Sequence, residues 1–128
     1  MINYLNKYSH YCLLMSKIYK IESLLSDDVY YGCTTKKYLS ERMTFYRHEY
    51  KRYLLAKLDD NNFKKYCSTK QEYGYESLLK LFELFDKFDI RNFKINLITI
   101  TDSKNKDCTK SHLFNYIKNN NCINNILK

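Results

Sequence analysis

The chain has no proline and only two glycines, Gly32 and Gly74, in 128 residues. Sharp turns, left-handed backbone and loops that wrap a phosphate are ordinarily built from those two residue types, so most of this chain is expected in regular elements with little loop-built chemistry. At this length one domain, 1–128, is expected, and such a domain hides about two-thirds of the surface its unfolded chain exposes. A core can then form without staples.

The spacing of apolar residues predicts a series of helices. From Asn3 to Leu25 they fall in two adjacent lanes, Leu5, Tyr8, Cys12, Met15, Tyr19 and Tyr4, Tyr11, Leu14, Ile18, Ile21, Leu25, whose three- and four-residue steps predict an amphipathic helix ended by Ser26-Asp27-Asp28. Val29-Tyr30-Tyr31 is a short β-prone piece ahead of Gly32. A second helix is expected over about 36–58, with Thr34 or Thr35 as N-cap and Leu39, Met43, Tyr46, Tyr50, Tyr53 or Leu54, and Leu58 facing inward. A short helix around 63–67, one over about 75–88 packing through Leu78, Leu81, Phe82, Phe85 and Phe88, and a last one over about 109–118 complete the set. Between Phe93 and Thr101 β-branched residues nearly alternate with polar ones, which favours a strand. Its partner is left open between the Val29–Tyr31 piece, another chain, and no pairing at all if tertiary context makes the segment helical. The fold class expected is mainly α: a bundle of four to six helices with one short strand or two-stranded ribbon near 93–101, and 119–128 as a loosely ordered tail or docked final turn.

Several function classes find no support in the residues. No apolar run approaches the roughly 20 residues of a membrane span, and none near Met1 has the length of a secretory signal core. Membrane insertion is therefore not expected, and the chain is assigned inside the cell, in cytoplasm or nucleus, or in host cytoplasm if viral. Five cysteines, an odd number, then read as reduced thiols. Cys108 with His112 and His10 with Cys12 are the nearest approaches to a metal pattern, but there is no Cys-x-x-Cys and no four-ligand set, so no metal is assigned. Neither glycine stands in a phosphate-binding loop and no serine or cysteine stands in a nucleophile motif, so no cofactor and no catalytic residue is assigned. An enzyme with dispersed site residues stays as a third class.

The net charge of +8 is uneven: Lys36 to Lys57 holds seven basic residues against Glu41 and Glu49, which supplies +5 of it. Arg47 with Lys51 and His48 with Arg52 are i, i+4 pairs on neighbouring lanes, opposite Tyr46, Tyr50 and Tyr53. Fourteen tyrosines are hard to bury in one small domain, and an exposed tyrosine joins apolar area to a hydroxyl, which suits a protein interface. The candidate partner-binding residues are therefore Arg47, His48, Lys51, Arg52, Tyr46, Tyr50 and Tyr53. The function expected is a small non-catalytic interaction protein with a protein partner; RNA or another polyanion held by the basic helix, as in a ribosome-associated accessory subunit, is the alternative. Homo-oligomer formation is left open. Heavy use of Tyr, Asn, Lys and Ile with few Arg is the signature of an AT-rich genome, and in composition, size and expected helix content the chain is similar to small helical host-interaction proteins of poxviruses. That resemblance implies a viral or parasite-encoded modulator of host complexes.

Overall fold

A computed structural model describes residues 15–101 and 106–124. It replaces the expected helical bundle with an α+β fold. Three antiparallel strands, β1 (Ser16–Ser23), β2 (Ser26–Thr34) and β3 (Phe93–Thr101), lie in the order β2-β1-β3. Four helices accompany them: α1 (Leu39–Ala56), α2 (Asp60–Glu72), α3 (Glu76–Phe88) and α4 (Lys106–Asn119).

The helix expected from Asn3 to Leu25 is overturned over its second half; residues 3–14 lie outside the described ones. Ser16–Ser23 is instead the central strand, so both of its faces are covered and its apolar residues run together at Ile18 and Tyr19, both fully buried. Such a run fits a helical lane as well as a strand, and the β-branched and aromatic side chains decide it. The expected stop at Ser26-Asp27-Asp28 is the start of β2, because Ser23 pairs with Ser26 across a two-residue hairpin loop of Leu24 and Leu25. Neither leucine has positive φ, so this turn is not of the kind that Asn-Gly announces, and a register irregularity between Ile21 and Ser23 absorbs the twist. β3 spans the residues expected of it but pairs with β1, Ile21 opposite Ile95 and Ser23 opposite Phe93. A second irregularity between Ile18 and Tyr19 marks a bulge in this ladder.

The helices follow their lanes except at the end of α1, where Leu58, expected to face inward, is 83% exposed because the chain turns there into α2. α1 begins at Tyr38 rather than a threonine, since Thr34 is the last residue of β2 and its Oγ1 accepts from the Lys36 N–H at 3.0 Å. α2 is longer than its apolar pattern suggests; Asp59 caps it by accepting from the Asn62 N–H at 3.0 Å. Its end is a Schellman turn, Tyr75 N–H to Lys70 C=O at 2.7 Å and Gly74 N–H to Gln71 C=O at 3.1 Å, which needs Gly74 at φ 78°. The core lies between the sheet and α1–α3, where Tyr19, Ile21, Tyr46, Leu81, Phe82 and Phe85 are fully buried. Each such side chain contributes about 1.5–3 kcal/mol. Phe85 meets Phe93 edge-on at 4.9 Å and ties α3 to β3.

α4 packs against β2 and β1 from the other side, with Tyr116 beside Tyr31 at 6.4 Å. The segment after it closes the outer edge of β2. The Ile123 N–H donates to Val29 C=O at 2.9 Å, and the Asn124 side chain bonds both backbone groups of Tyr31 at 2.8 Å, taking the place of a fourth strand.

Candidate functional site

Where β1, β2 and α1 meet, the sheet carries three tyrosines and an arginine in one polar knot. Tyr19 on β1 faces Gly32 in the register of β2, and the missing Cβ lets the tyrosine ring lie flat across the strand. This places Tyr19 Oη 2.5 Å from Tyr46 Oη of α1, with the rings edge-on at 6.3 Å, and Tyr30 closes on Tyr46 from the side at 5.8 Å. Arg42, one turn before Tyr46, donates from Nε to Tyr19 Oη at 3.1 Å, and its guanidinium sits 4.2 Å above the Phe45 ring and 5.1 Å from that of Tyr46. Burial pushes the Tyr46 pKa well above 10 and that of Tyr30 up to about 12, so both hydroxyls stay neutral at physiological pH and act as hydrogen-bonding groups.

Arg42 lines a cavity of about 440 Å³, shared with Phe45, Glu49, Lys70, Tyr75 and Ser77. No carboxylate of the described residues lies within ion-pair distance of this half-buried cation. Glu49 is engaged elsewhere, with Lys70 at 3.3 Å and Arg52 at 3.5 Å. Partial desolvation without a counter-charge is costly, and an anion in the cavity would offset that cost. Phe45 and Tyr75 at its rim are 39% and 53% exposed, with Arg42 4.2 Å over the Phe45 ring and Lys70 Nζ 5.5 Å over that of Tyr75.

The sequence-derived candidates separate into three groups. Tyr46 and Tyr53 are core residues, 1% and 3% exposed, and Tyr50 is half-buried. Tyr50 and Tyr53 donate to the two oxygens of Asp86 on α3, at 2.5 and 3.2 Å, with Lys57 reaching the same carboxylate at 2.8 Å. These bonds hold α1 to α3. Arg47, His48, Lys51 and Arg52 are all exposed and, at about 100° per residue, fall within an arc of about 140° on α1. Arg52 lines a groove between α1 and α2 together with Glu49 and Lys70, whereas none of the four lines the cavity of Arg42.

Tyr19, Tyr30 and Arg42 escaped the reading of the sequence because Tyr19 was placed on a helix. A glycine inside a β-prone run, with an aromatic residue in register opposite, is the signal that points to them. Among the described residues no group of three His, Cys, Asp or Glu is placed to hold a metal ion, and no helix is long and apolar enough to cross a membrane. No known protein family, curated protein or solved structure matches the chain.

Proposed function

We propose that this chain binds nucleic acid through its phosphates, with Arg42 as the central contact, Lys70 beside it in the same cavity and Arg52 in the adjoining groove. The observation that carries this reading is the half-buried Arg42 without a carboxylate partner, opening on a cavity with aromatic rims beside further cations. Cations for the backbone and flat rings for unstacked bases are the two parts a single-strand site combines. Of the tyrosines expected to meet a protein partner, Tyr46 and Tyr53 are buried and Tyr50 is half-buried, and we give the RNA alternative precedence on the strength of the Arg42 cavity.

The test is fluorescence anisotropy with labelled single-stranded RNA, single-stranded DNA and duplex DNA at several salt concentrations. Arg42→Gln is expected to weaken single-strand binding at least about tenfold, since a charge-assisted contact contributes about 1.5–3 kcal/mol. Arg52→Gln should flatten the slope of log affinity against log salt by roughly 0.7. Affinity unchanged in a folded Arg42→Gln variant contradicts the proposal. The same oligonucleotides incubated with Mg²⁺ test the enzyme class: strand scission abolished by Arg42→Gln would replace binding with phosphodiester cleavage, for which an arginine and adjoining hydroxyls are suitable parts.

A further inference from the structure

The C-terminal end of α1 has a different character. Leu54, Leu55 and Leu58 are 41%, 67% and 83% exposed. Bonds from the Lys57 N–H to Tyr53 C=O at 3.1 Å and from the Leu58 N–H to Leu55 C=O at 3.2 Å carry the helical turn past Ala56, so the three leucines sit at i, i+1 and i+4 on one surface. Lone exposed leucines are ordinary, but three in contact at the end of one helix are an apolar patch of the kind that marks an interface. The patch runs into a groove of about 500 Å³ between α1 and α2, reached through Leu55 and Ala56. In that groove Tyr66 Oη is buried and has no hydrogen-bond partner. The charged side chains lining it are Arg52, Lys65 and Lys70 against Glu49 alone, and Lys51 stands one turn and Arg47 two turns before Leu54.

From this arrangement we infer that the leucine face of α1 and the adjoining groove dock an amphipathic segment of a partner protein whose apolar side chains cover Leu54, Leu55 and Leu58 and whose carboxylates meet the surrounding cations. Charge selects this occupant. A second copy would bring the same excess of cations to the interface, and a nucleic acid would gain nothing from covering three leucines.

The experiment is to pan a random peptide display library on the whole chain, synthesise the enriched peptides, and measure their binding to the chain and to the Leu55→Gln/Leu58→Gln double variant. Both side chains are exposed, so the variant keeps the fold. Enriched peptides are expected to combine Glu or Asp with Leu or Phe at helical spacing, to bind the double variant at least about tenfold more weakly, and to lose affinity when their acidic residues become lysine. A smaller loss, of about two- to fivefold, is expected from Arg47→Gln/Lys51→Gln. Each of the following overturns the inference: no enrichment, equal binding to the double variant, selected peptides without acidic residues, or a chain dimer that the double variant abolishes. Oligonucleotide affinity is expected to be the same in wild type and double variant; a joint loss would assign this face to nucleic acid and overturn the inference as well.

Discussion

The ring of Tyr19 lies directly across Gly32, so that a Cβ at position 32 would overlap the tyrosine's Oη and Cζ atoms. The ring has no room to retreat, being held by the Tyr46 hydroxyl at 2.5 Å and Arg42 Nε at 3.1 Å. Gly32→Ala should therefore cost about 1–3 kcal/mol by overpacking, read from urea unfolding. Gly74→Ala makes a useful comparison: open space surrounds that position, so only its φ of 78° opposes a side chain, at about 1 kcal/mol. If Gly32→Ala proves neutral, the ring does not lie where this fold puts it.

Removing hydroxyls from the knot should give unequal losses. Tyr19→Phe deprives both Tyr46 Oη and Arg42 Nε of a partner, whereas Tyr46→Phe leaves the bond from Arg42 to Tyr19 in place. Chemical denaturation is expected to show Tyr19→Phe as the costlier change, with both between about 1 and 3 kcal/mol, and the double variant should lose less than the sum. Equal and additive losses would mean the hydroxyls do not act as one network.

Asp86 should make stability depend on acid. Its burial raises the carboxyl pKa, but hydrogen bonds from Lys57 and Tyr50, the charge of Lys57 and the bond from Tyr53 outweigh that and hold it below the usual carboxylate value. A folded pKa below the unfolded one, about 3.9, means that the stabilisation is complete above that pH and is lost as pH falls through the folded value. Asp86→Asn should cost about 1 kcal/mol at neutral pH and show a shallower fall in stability than wild type below about pH 4. Identical acid profiles would exclude Asp86 as a source.

Stacking and charge at the cavity can be separated. Tyr75→Ala removes an exposed ring from the rim and no charge, so single-strand affinity should drop by about 1–3 kcal/mol while the salt slope stays as in wild type. Arg52→Gln is expected to do the reverse, changing the slope more than the affinity at high salt. A changed slope in Tyr75→Ala would mean that this ring orders a cation instead of holding a base.

What the sequence reveals differs by element for physical reasons. α3 carries its apolar residues on one stripe, and Leu78, Leu81, Phe82 and Phe85 are buried as that stripe implies. β3 alternates because its two faces meet different surroundings, and its bounds agree with its pattern. β1 is covered on both faces and joined to β2 by two leucines, so it lacks both the alternation and the turn residues that identify a strand. The site inherits that difficulty. Tyr19 meets Tyr46 across 27 residues and Arg42 across 23, contacts that no local pattern encodes. The exposed cations of α1 were legible as charged, but that Arg52 borders a groove follows from where α2 packs.

The bond between the Asn124 side chain and the backbone of Tyr31 joins residues 93 positions apart. On a translating ribosome at about 5–20 residues per second, Tyr31 precedes Asn124 by several seconds, during which the outer rim of the hairpin has no cover. A nascent strand in that condition can pair with whatever extended backbone it meets. Chains truncated before Ile123 would carry that exposure permanently, and their yield in soluble form should fall more steeply with temperature than that of the whole protein.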